Sequence, residues 1–144
     1  MAIPIRNQRQ IGWIRRAGQI AAQVRDQVAA AVQPGVTTGE LDRLGAALIR
    51  EAGAQSAFLG YRNYPGNICV SVNDQVVHGI GGDRRIQYGE IVKLDIGVVF
   101  QGWIGDTATT VPVGVIAPDA QRLLACTDRA LRAGITQARA GNHL

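Results

Sequence analysis

Lysine is nearly missing. Lys93 is the only one in 144 residues, so the excess of fifteen Lys and Arg over eleven Asp and Glu is carried by arginine. A net charge of +4 and a pI near 9.7 favour an anionic partner such as nucleic acid. The arginines are scattered, however, over solvent positions of expected helices (Arg15, Arg16, Arg25, Arg43, Arg122, Arg129, Arg132). Without interleaved aromatics that pattern reads as solvated surface. Cysteine is scarce too: Cys69 and Cys126 show neither metal-ligand spacing nor a disulfide framework, so reduced thiols in a cytoplasmic protein are expected. No charged-then-apolar leader opens the chain, and no apolar run reaches the ~18 residues of a membrane span, so neither export nor insertion is expected. Internal repeats, a Gly-x-Ser-x-Gly elbow, a Walker-type loop and zinc-finger spacing are also missing.

What is present suffices for one domain over residues 1–144, with 47% hydrophobic content for a core and eighteen glycines for turns. The most informative stretch runs from Ile91 to Val111. Apolar and β-branched residues continue to Phe100, Gln101-Gly102 turns the chain, and strand character resumes at Trp103. With a two-residue loop Phe100 faces Trp103, so Asp95 and Asp106 become diagonal neighbours leaving the same face. Two close carboxylates repel unless one keeps a proton or a cation lies between them. Hard oxygen ligands on a rigid hairpin suit a divalent ion, and paired carboxylates suit a two-metal hydrolytic centre; two solvated aspartates are the plain alternative.

The periodicity predicts a first helix from Asn7 to Val32, with Ile11, Ile14, Gly18, Ala21, Val28 and Val32 as its stripe, stopped by Pro34-Gly35. Thr37-Thr38-Gly39-Glu40 has the form of a capping box opening a second helix on Leu41, Leu44, Leu48 and Ile49, with Gly53 as its C-terminal cap. Residues 54–66 read as a loop holding Phe58, Tyr61 and Tyr64, which either plug the core or wall a pocket. A strand over Asn67–Val72, a turn at Asn73-Asp74 and a return strand Gln75–His78 follow, then a glycine-rich loop. His78 beside that loop is a candidate proton donor or ligand, or a structural histidine. A Cys69–His78 nucleophile pair is disfavoured, because Cys69 lies in an apolar strand where a thiol is usually inert. The last helix starts near Pro118, buries Leu123, Leu124, Thr127, Leu131, Gly134, Ile135 and Ala138, and ends at Gly141; Asn142 is placed to cap another helix beginning near Leu144.

Gly60-Tyr61, Tyr64-Pro65, Ser71-Val-Asn-Asp74, Val77-His-Gly-Ile80, Gly89-Glu-Ile-Val92, Asp95-Ile-Gly97, Gly105-Asp-Thr107 and Val113-Gly114 occur in one order. Together with Pro34-Gly-Val-Thr-Thr-Gly-Glu-Leu-Asp42, this order resembles the bacterial type I methionine aminopeptidases, and the match runs over essentially the whole chain. The resemblance implies an α/β half of a pita-bread fold, an antiparallel sheet with flanking helices, and removal of N-terminal methionine from peptides and nascent chains at the ribosome. By the same resemblance Asp95 and Asp106 are ligands of two divalent ions (Mn, Co, Fe or Zn), with Asp106 bridging. His78 contacts the substrate near the scissile peptide, and Tyr61, Tyr64 and Cys69 line the methionine pocket. The family's remaining ligands, one histidine and two glutamates, and its general-base glutamate fall beyond Leu144, and His143 does not replace them. The 144 residues alone are therefore expected to be inactive, completed by a C-terminal half or a second copy. Phe58 stands where related sequences often carry a smaller residue, and Ile104 where histidine is frequent. The competing expectation is a non-catalytic module of the same fold that binds peptide or RNA.

Overall fold

The computed structural model describes residues 3–143. Helix α1 (Gln8–Ala30) starts at Asn7, whose side chain accepts from the Gln10 amide while the Gln10 side chain accepts from the Asn7 amide, each at 3.0 Å. It buries Ala17, Ile20, Ala21, Val24 and Val28. The expected stripe is thus right at Ala21 and Val28, whereas Ile14 is exposed and Val32 lies past the helix end. Helix α2 (Thr38–Glu51) opens with the expected Thr37–Glu40 capping box, and Gly53 follows its last turn in the left-handed conformation.

Four antiparallel strands make the sheet: β1 (Gln55–Ser56), β2 (Cys69–Val72), β3 (Ile91–Phe100) and β4 (Trp103–Pro112). β3 is central. β1 and β2 pair successively with one of its edges and β4 with the other. Alternation places Val92, Leu94, Ile96 and Val98 on one face, fully buried beneath α1 and α2. The helix sits directly on the sheet backbone, since a Cβ at Gly105 would fall 2.3 Å from the Ala17 carbonyl. Lys93 and Asp95 of β3, with Asp106 and Ala108 of β4, occupy the opposite face.

Two expectations need correction. The return strand Gln75–His78 does not form, and Val76 and Val77 are exposed. Its place along β2 is taken by other partners: the Gln75 side chain accepts from the Val72 amide at 2.8 Å, and the Val70 amide donates to the Gly79 carbonyl at 2.9 Å. Helix α3 (Pro118–Gln137) forms where expected but has no fully buried residue: Leu124 is half-buried, and Leu123, Leu131 and Ile135 are each more than 60% exposed. Its apolar spacing is helical, but Leu124, Thr127 and Leu131 line a cavity of about 590 Å³ with Lys93, Ala108 and Thr109 of the sheet instead of closing onto them. It also stops before Gly141, and the Asn142 side chain donates to the Gln137 carbonyl at 2.9 Å. A helix beginning near Leu144 lies outside the described residues. Among the described residues no helix is long and apolar enough to cross a membrane.

Candidate metal centre and substrate cavity

The turn at Gln101-Gly102 fixes the site. Both residues have positive φ, 51° and 78°, which gives the tight two-residue hairpin that suits strand twist. The register therefore pairs Phe100 with Trp103, Gly97 with Asp106 and Asp95 with Ala108, so Asp95 and Asp106 are diagonal neighbours on one face, as the spacing predicts. Asp106 is exposed, while Asp95 is half-buried and its Oδ1 is fully buried with no hydrogen-bond partner. Burial, and then the negative charge of Asp106, push the Asp95 carboxyl up to about 6. An orphaned carboxylate oxygen facing a second carboxylate is a donor set that a hard cation would satisfy. Two carboxylates are nevertheless a partial set: among the described residues no group of three or more His, Cys, Asp or Glu could hold a metal, and exposed His143 adds nothing to the pair.

A cavity of about 570 Å³ opens above the pair, and Tyr61, Tyr64, Cys69, His78, Asp95 and Asp106 all line it. The sequence thus pointed to residues that the fold brings together. Phe58 joins them, resting on Gly97, where a Cβ would come within 2.3 Å of its ring. The loop aromatics wall this cavity; they do not plug the core. Tyr64 is the best anchored, with its hydroxyl 2.8 Å from the Gly79 carbonyl and 3.1 Å from that of Ile68. Burial raises its pKa and that of the Cys69 thiol, so both stay protonated at neutral pH and Cys69 is a poor nucleophile. Ile104, on the face of Asp106 and two residues before it, is exposed.

Two supporting residues escaped the sequence reading. Arg25, expected to face solvent, donates from Nη1 to Thr107 Oγ1 at 2.7 Å and pairs with Asp26, tying α1 to the residue after Asp106. Asp42 accepts from the Asn67 and Ile68 amides at 2.7 and 3.0 Å and from the Asn67 side chain at 3.0 Å, holding the entry to β2. Arg25 has one signal, its place next to buried Val24; Asp42 has none, because its partners lie 25 and 26 residues away.

A two-carboxylate hairpin beneath an aromatic cavity is the kind of arrangement a metal-dependent hydrolase uses. The profile of Metallopeptidase family M24 matches residues 12–144, and the chain belongs to that family. Its relatives include methionine aminopeptidases. The chain is 40% identical over 136 residues to methionine aminopeptidase 1 of Bacillus subtilis, covering 94% of this chain and 55% of that protein. The solved structure of the Rickettsia prowazekii methionine aminopeptidase superposes with a TM-score of 0.90 at 36% identity, over 93% of this chain and 54% of that one. That of Thermotoga maritima gives 0.91 at 31%, over 96% and 55%. The fold is accordingly half of a pita-bread architecture, and the chain spans about half the length of the relatives it matches. Membership of a metallopeptidase family implies a divalent metal cofactor.

Proposed function

We propose that residues 1–144 form one domain, the N-terminal half of the catalytic unit of a cytoplasmic methionine aminopeptidase that removes the first residue from peptides and nascent chains. The observation carrying this is the pairing of Asp95, with its orphaned buried Oδ1, and Asp106 under an aromatic-walled cavity. Asp95 and Asp106 hold two divalent ions, of Mn, Co, Fe or Zn type, with further ligands and a general base contributed from outside these residues. The ions supply charge stabilisation at the scissile carbonyl and activation of water when bound. Tyr61, Tyr64 and Cys69, with Phe58, enclose an apolar side chain such as methionine and keep water from it. His78, at the cavity edge, donates a hydrogen bond to the oxygen that gains charge as the peptide bond is attacked. The completing partner is a C-terminal half or a second copy, and the ribosome delivers the nascent substrate.

The test is hydrolysis of Met-Ala-Ser by the protein with its completing half present, compared with Leu-Ala-Ser and Lys-Ala-Ser, with added manganese and with chelator. Metal-dependent release of methionine in clear preference to leucine and lysine is expected. Equal turnover in chelator, or none with any divalent ion, contradicts the proposal.

A further inference from the structure

His78 is one of five described non-glycine residues with positive φ, at 58°, a conformation that costs about 1 kcal/mol or more and persists only where surrounding contacts impose it. It lies in no helix or strand and its side chain is exposed, so its own contacts do not account for its position. Those of Gly79 do. The Gly79 amide donates to Ser71 Oγ at 2.9 Å, and Ser71 is buried to 2% exposure. The Gly79 carbonyl accepts from the Val70 amide at 2.9 Å and lies 2.8 Å from the Tyr64 hydroxyl. No larger residue fits there, because a Cβ on Gly79 would fall 2.2 Å from the Val70 carbonyl oxygen. Every polar group of the Gly79 peptide is therefore engaged, with β2 and the loop aromatic holding it from two sides.

We infer that Ser71 and Tyr64 are positioning residues for His78: their hydroxyls clamp Gly79 and thereby hold the preceding histidine in its left-handed conformation at the cavity edge. Ser71 has no other evident task. An alanine would suit its strand as well, yet would leave a buried amide without a partner. Tyr64 becomes two things at once, a wall of the cavity through its ring and an anchor of the histidine loop through its hydroxyl. The catalytic part of this inference rests on the role of His78 proposed above; the clamp itself does not.

The test uses Ser71→Ala and Tyr64→Phe, alone and in a His78→Ala background, in the intact protein. Hydrogen exchange at the Gly79 amide should quicken about tenfold in Ser71→Ala, the equivalent of one weakened hydrogen bond. Tyr64→Phe, which keeps the ring, should quicken it less. In the metal-loaded enzyme each variant should lower kcat by about tenfold with KM nearly unchanged, and neither should lower it further once His78 is alanine. Unchanged Gly79 exchange in both variants overturns the clamp. Equal losses of kcat with and without His78 overturn its positioning role. A His78→Ala enzyme with wild-type kcat refutes the catalytic reading of His78 and with it the positioning claim, whereas loss of all metal-dependent turnover in wild type shows in the Met-Ala-Ser hydrolysis assay.

Discussion

Removing the Asp95 charge should stabilise the metal-free protein while destroying its site. The Asp95 carboxyl titrates near 6 in the folded chain against 3.8 for the free side chain, because it is half-buried and faces Asp106. The folded state therefore binds more protons than the unfolded one between those values, and stability falls as pH rises through that window. The full stabilisation from this group is present below about pH 4 and gone above about pH 6. A two-unit shift corresponds to about 3 kcal/mol, and the solvent-facing part of the carboxylate reduces this to about 1–2 kcal/mol. Asp95→Asn abolishes the repulsion and can donate to Asp106. In chelator at pH 7.5 the variant should melt a few degrees above wild type, and the difference should vanish at pH 4. Thermal unfolding followed by circular dichroism at both pH values measures it. Manganese should then raise the wild-type melting temperature and leave the variant unchanged. A variant that is less stable than wild type in chelator at pH 7.5 refutes the reasoning, since it would mean that the Asp95 charge is not under strain.

Gly105→Ala should cost well over 2 kcal/mol or prevent folding, because its Cβ meets the Ala17 backbone at 2.3 Å and neither element can yield cheaply; denaturant titration measures it. Thr37→Ala removes the capping box of α2 and should cost about 1 kcal/mol in the same assay. Leu131→Ser on α3 should change the stability of the 144-residue chain by less than about 0.5 kcal/mol, because that residue is 61% exposed. A loss of several kcal/mol there would show that another surface covers the helix.

The hairpin and its two aspartates were legible because everything that sets them is local: a two-residue turn, a period of two and a register that follows from both. The α2 capping box was readable for the same reason. The return strand was misjudged because Val76 and Val77 carry strand propensity, while the bonds that decide the issue, from Ser71 and Tyr64 to Gly79, come from outside that stretch. Helix α3 shows the complementary limit, since a 3.6-residue period announces an apolar face but not what covers it. Arg25 and Asp42 stayed hidden because their partners are remote in sequence, and only the fold makes them neighbours.

The central claim, that Asp95 and Asp106 are metal ligands, is tested most directly by titrating manganese into the metal-free intact protein by calorimetry, with Asp95→Asn and Asp106→Asn alongside. Saturable binding by wild type, weakened at least about tenfold in each variant, is predicted from the loss of one of few anionic ligands. Wild-type affinity and stoichiometry in both variants would contradict the claim.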